Sequence, residues 1–188
     1  MPRFLIPLLL VVALTLPVSA EPDKDLPRGG SGVLGDGLII PGKRVGPIRL
    51  GMSTAEILQS MPPGYKREVF HEQKIVLYEW RTQGFWVSLD EDGKTVRIIS
   101  VFGTGPYHTD KGVQLLHPES KIIAAYGPEF RRYEYPQDEI IIIRYVSIGL
   151  QFGLVNQPSN AVLHGRIFQI GIFVPGKEPP LAKAPGGK

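Results

Sequence analysis

The chain has 188 residues, 43% of them hydrophobic and 21% charged, with a formal net charge of +3 and no cysteine. That composition excludes a disordered protein, and the mild charge carries no block of Lys or Arg of the kind that tracks nucleic acid. Without cysteine there can be no disulfide, no thiolate metal site, no cysteine nucleophile and no lipid-bearing cysteine anchor.

The first twenty residues read as a secretory signal peptide. Met1-Pro2-Arg3 is a short positive head, Phe4 to Leu16 is an apolar run, and Pro17-Val18-Ser19-Ala20 places small residues before a cleavage point. The run is shorter than the ~20 apolar residues needed to span a bilayer. Cleavage after Ala20 and export to the periplasm or the medium are therefore expected, with no stable membrane anchor left behind. Residues 21–37 are polar and rich in Gly and Pro, and read as a flexible linker. Residues 177–188, a Pro/Gly/Lys stretch, read as a disordered tail.

Between them the chain matches itself at a shift of 65 residues, over about forty positions without a gap. Ile48-Arg49-Leu50 lies on Val113-Gln114-Leu115, Ala55-Glu56-Ile57-Leu58 on Ser120-Lys121-Ile122-Ile123, and Pro63-Gly64-Tyr65-Lys66 on Pro128-Glu129-Phe130-Arg131. Ile75 to Trp80 lies on Ile140 to Tyr145, and after a longer hairpin Val101-Phe102 meets Ile172-Phe173. Two tandem units are expected, at 38–104 and 105–176.

Each unit opens with a short helix. Ser53-Thr54-Ala55-Glu56 is a capping box with Met52 and Ile57 placed as its hydrophobic staple, and Pro62-Pro63-Gly64 ends the helix. In the second unit Pro118 fits the first helical position, and Gly127-Pro128 is the stop. Helical spacing gives packing faces of Ile57, Leu58 and Met61 in one unit, and of Ile122, Ile123 and Tyr126 in the other.

Three strands follow in each unit. Alternation puts Val76, Tyr78, Trp80, Phe85, Val87 and Leu89 on one apolar face, matched by Ile141, Ile143, Tyr145, Leu150, Phe152 and Leu154. Asp92-Gly93 is a hairpin signal, and lacks the further ligands of a calcium loop. The fold class is α+β: each helix on one face of an antiparallel sheet, with the two sheets free to join edge to edge.

The opposite face carries Ile75, Leu77, Glu79, Trp86, Ser88, Ile98, Ser100 and Phe102, then Ile140, Ile142, Arg144, Gln151, Gly153, Gln169 and Phe173. This mixture is too apolar for plain solvent exposure, and aromatic and arginine side chains are where interface energy concentrates. Glu79, Trp86, Phe102, Arg144, Gln151 and Gln169 are the candidate protein-binding residues, with Trp86 as anchor. Cover by the linker, the tail or a second copy of the chain is the competing explanation of the same pattern.

No catalytic pattern emerges. His71-Glu72 begins like a zinc helix, but Ile75 stands where the second histidine must be. His108, His117 and His164 lack partners at helical spacing, and the serines lack a nucleophile elbow. No cofactor and no metal is expected.

Gly46-Pro47-Ile48-Arg49-Leu50-Gly51-Met52-Ser53, followed by a short helix, a Pro/Gly break and three strands, resembles the superfamily of the β-lactamase inhibitor protein. The small lipoprotein of the outer-membrane β-barrel assembly machinery shares that helix-plus-sheet unit. The resemblance covers about Ile39 to Val174 and implies protein binding through the sheet, without catalysis. The cysteines of both relatives are missing here, so neither the disulfides nor the lipid anchor carries over. An exported, non-enzymatic protein-binding module is the expected function, inhibitor-like or an accessory of envelope assembly. A small-ligand carrier with an apolar pocket between helices and sheet is the alternative, and an enzyme of unrecognised type the third.

Overall fold

The computed structural model describes residues 35–180 except 72, 91 and 104, so the expected signal peptide and most of the linker lie outside the described residues. Among them no helix is long and apolar enough to cross a membrane.

Three very short strands come first: β1 (Leu38–Ile40), β2 (Arg44–Val45) and β3 (Ile48–Arg49). Two residues cannot show a periodicity, and turns rather than alternation set this region. Arg44 grips Asp36 with both terminal nitrogens, at 3.0 and 2.8 Å, and donates to the Gly46 carbonyl at 2.7 Å. That hydrogen-bonded guanidinium, helped by the Leu38 N–H, holds the Asp36 carboxyl down at about 2. Residues 35–37, expected in the linker, thus belong to the fold.

Helix α1 (Thr54–Ser60) carries the expected capping box, with both reciprocal bonds between Ser53 and Glu56 formed. Strands β4 (Lys66–Phe70), β5 (Ile75–Trp80), β6 (Phe85–Asp90) and β7 (Val96–Phe102) follow as a meander. The Asp92-Gly93 segment is a turn between β6 and β7, with Gly93 at φ 68° and the Lys94 N–H donating to Asp92. Next come β8 (His108–Thr109), helix α2 (Glu119–Tyr126), and strands β9 (Arg131–Tyr135), β10 (Ile140–Tyr145), β11 (Leu150–Val155) and β12 (Ile167–Phe173).

The expected three strands in each half are four, because β4 and β9 were hidden in the charged runs after each helix. Pro118 is the N-cap residue (φ −74°, ψ 159°), one position earlier than expected, and the helix proper starts at Glu119. Proline's fixed φ serves an extended cap as readily as a first turn. Ile123, placed on the packing face by spacing, is 37% exposed, while Ile122 is buried and Ala125 and Tyr126 pack against the core.

The eight long strands form one antiparallel sheet in the order β4-β5-β6-β7-β12-β11-β10-β9, joined in the middle by β7 and β12. A small sheet, β3-β2-β1-β8, includes one parallel pairing between β1 and β8. Corresponding details recur in the two halves. Trp80 Nε1 donates to the Pro62 carbonyl at 3.0 Å, and the Tyr145 hydroxyl to the Gly127 carbonyl at 2.6 Å, each tying β5 or β10 to the end of its helix. Gly84 and Gly149, both left-handed, close one-turn 3-10 helices and accept from the Phe102 and Phe173 N–H groups.

The inner face of the sheet is the core. Val76, Trp80, Phe85, Val87 and Leu89, with Ile143, Leu150, Phe152 and Leu154, cluster with Ile57 of α1, Met61 at its C-cap and Ile122 of α2. Tyr107, Val113, Ile39 and Ile48 complete the layer. Each large side chain buried there contributes roughly 1.5–3 kcal/mol.

Candidate protein-binding face

Strand register decides which outer-face residues meet. Glu79 is opposite Trp86, Trp86 opposite Ser100, Ser100 opposite Gly171, Gly171 opposite Gln151, and Gln151 opposite Arg144. Those six residues form one row across β5, β6, β7, β12, β11 and β10. Phe102 faces Gln169 in an adjacent row. All six sequence-derived candidates therefore share one face of one sheet.

The polar members do not stand in solvent. Glu79 is 8% exposed, Arg144 4%, Gln151 5% and Gln169 5%. Gln169 Nε2 donates to Ser100 Oγ at 3.1 Å across the β7–β12 seam, and Arg144 Nε donates to Gln151 Oε1 at 3.1 Å. Glu79 accepts from Arg81 Nε at 3.1 Å. Leu77, Ile140 and Phe173 are also buried on this side, away from the core cluster. The face expected to be open is thus a second packed surface in which the half-buried aromatics, Trp86 and Phe102, stand among sunken polar groups.

Glycines set its relief. A Cβ on Gly171 would lie 2.5 Å from Ser100 Oγ and 3.1 Å from the Gln151 side chain, so a larger residue there would push Ser100 Oγ out of its bond with Gln169. At Gly153 a Cβ would lie 2.8 Å from the Phe168 ring, which occupies the space instead. A register irregularity at Gly153/Leu154 accompanies it.

Trp86 differs from its neighbours in one respect. Its indole N–H is buried and finds no acceptor among the described residues. Glu68 Oε2, in β4 on the same half of the face, is likewise buried without a donor, although Glu68 pairs with Lys66 through its other oxygen. Leaving a buried donor without a partner costs about 1–3 kcal/mol. Gln151, which takes the corresponding second place in β11, is satisfied by Arg144.

The far end of the face is covered by the chain itself. After β12 the backbone turns at Gly176, whose N–H donates to the Val146 carbonyl at 2.9 Å. Glu178 then reaches onto β9 and β10. Its carboxylate accepts from the Tyr133 hydroxyl at 2.7 Å, from Arg144 Nη1 at 3.3 Å and from Arg131 Nη1. Arg144 Nη1 also donates to the Pro179 carbonyl at 2.7 Å, and its guanidinium lies 5.6 Å from the Tyr133 ring centroid. Burial opposes the charge on Glu178, but the bonds from Tyr133 and Arg144 and the charge of Arg131 outweigh it, and the carboxyl is held below the usual range. Residues 177–180, expected in a disordered tail, are fastened here, with Pro179 buried.

Protein-family models, curated proteins and solved structures offer no match to the chain.

Sequence reasoning missed Arg131, Tyr133 and Glu178. The alternation of Tyr133 and Tyr135 was the available strand signal in β9, obscured by the charges between and around them. For Glu178 there was no local signal, since its partners are more than thirty residues away. Among the described residues no three His, Asp or Glu side chains are placed to hold a metal. The space between helices and sheet is filled by Trp80, Phe85, Tyr126, Tyr145 and Phe152, with aromatic centroids 5.5–6.4 Å apart.

Proposed function

We propose that the chain is an exported, non-enzymatic protein-binding module that meets its partner with the outer face of the eight-stranded sheet. The observation that carries this reading is Trp86: a half-buried indole with an unanswered N–H, in a row whose other polar groups have partners. Turning of the half-buried indole on docking, so that its N–H meets an acceptor of the partner, would remove a cost the free protein bears. Tryptophan is among the side chains most enriched in interface hot spots.

We infer further that the two halves are copies of one helix-plus-sheet unit. The paired Trp80 and Tyr145 bonds to helix ends, the left-handed Gly84 and Gly149, and the mirrored strand order support this. Such a tandem is what resemblance to the β-lactamase inhibitor protein superfamily implies, and with it an inhibitor-like role or one in envelope assembly.

The test is comparative capture. The wild-type protein and Trp86→Ala, each shown folded by circular dichroism, serve as parallel baits against the exported proteins of the source cells. A protein held by the wild type and lost from Trp86→Ala supports the reading. Identical captures from both baits would sink it.

A further inference from the structure

The cluster at the β9–β10 end of the face has the form of an occupied receptor. Three donors from the sheet, Arg131 Nη1, the Tyr133 hydroxyl and Arg144 Nη1, converge on one carboxylate that comes from outside the sheet. Arg144 is 4% exposed, so its charge is built into the strand layer, and its acidic counterpart arrives 34 residues later in the chain. The same guanidinium takes the next backbone carbonyl, that of Pro179. What the cluster reads is therefore a carboxylate followed by a carbonyl on an extended, proline-bearing segment. Charge-assisted bonds of this kind are specific as well as strong. Beside them a surface depression of about 320 Å³ is lined by Arg131 and Arg144 together with Pro128, Glu129, Phe130 and Val146, and residues 177–180 are not among its described lining. An incoming segment can approach exposed Arg131 before Glu178 leaves.

We propose that Arg131, Tyr133 and Arg144 form a receptor for an acidic side chain on an extended segment of a partner protein, and that Glu178 fills it in cis until displaced. The inference rests on reading the sheet face as a protein-binding surface, and it names the chemistry of one end of that partner. Glu178 competes as an intramolecular ligand at an effective concentration in the millimolar range or above. Any acidic segment acting in trans must outbid it, which sets a threshold for binding.

The probe is a blocked hexapeptide, Pro-Gly-Lys-Glu-Pro-Pro, copied from residues 175–180 and titrated into the full-length chain. Glu178→Gln should bind it at least tenfold more tightly than the wild type does. The same peptide with Gln in place of Glu should bind Glu178→Gln at least tenfold more weakly. Adding Arg131→Gln and Tyr133→Phe to Glu178→Gln changes accessible positions without touching buried Arg144, and should return the affinity to the wild-type level or below. Equal binding to wild type and Glu178→Gln, or indifference to the peptide's carboxylate, would overturn the proposal. Trp86 lies four strands from Arg144, so Trp86→Ala should leave peptide affinity unchanged. If the peptide ignores Glu178→Gln while Trp86→Ala still strips the bait of its partner, the receptor falls and the binding face stands. The opposite pair of results retires the face and keeps the receptor.

Discussion

Trp86→Phe should push folding and binding in opposite directions. The substitution keeps a flat aromatic ring in the same row and deletes the N–H that is buried without an acceptor. Relief of that donor is worth about 1–3 kcal/mol to the free protein. Against it stands the lost pyrrole edge, roughly 40 Å² of apolar surface or about 1 kcal/mol, reduced further because the residue is only half-buried. The free variant should therefore be as stable as the wild type or more so by up to about 2 kcal/mol. At this chain length each kcal/mol moves Tm by about 2–4 °C. In the complex the sign reverses, because the partner's acceptor then loses its donor, and affinity should fall about tenfold. Urea unfolding of the free protein and titration calorimetry with the captured partner read the two arms separately. A stability loss above about 1 kcal/mol would show that the indole N–H already has a partner at home, and the argument for the site would go with it.

Two other expectations follow from particular atoms. Gly149→Ala should cost about 3 kcal/mol or more in urea unfolding, since φ is 67° and the added Cβ would lie 2.1 Å from the Phe173 carbonyl oxygen. Glu178 has its carboxyl pKa lowered in the folded chain, so its contribution is fully present above the ordinary glutamate range and is lost as pH falls through the folded value. Hydrogen exchange at Gly176 and Lys177 should accelerate relative to the β11 amides as pH falls below the ordinary glutamate range, and Glu178→Gln should abolish that pH dependence.

Much of this fold could be read from residues because its signals are local. The capping box names α1 by itself, and the apolar runs in β5, β6, β10 and β11 mark them as strands, with the polar residues Glu79, Ser88, Arg144 and Gln151 fixing which face is which without any knowledge of the partner strands. Where the structure departs from expectation, the deciding interaction is distant or the segment too short. Strand β9, Arg131-Arg132-Tyr133-Glu134-Tyr135, holds its place by pairing with β10 rather than by apolar alternation. The small β1–β3 sheet has no strand longer than three residues and depends on turns. The face residues were legible as a set, but their burial was not, because it comes from neighbouring strands and, at Arg144, from a tail whose composition promises nothing ordered.

A sheet of eight strands still has two raw margins, and their chemistry bears on how the molecule coexists with copies of itself. The outermost strands, β4 and β9, are each five residues long and carry Lys66, Arg67 and Glu68 on one side, and Arg131, Arg132 and Glu134 on the other. Short, charged borders of this kind discourage another chain from extending the hydrogen-bond ladder, because an incoming strand must lay its own side chains against fixed ions of both signs. Growth by strand addition, the ordinary route from an exposed sheet to a fibril, is therefore opposed at both ends. What the border strands leave accessible to a partner is the broad side of the sheet.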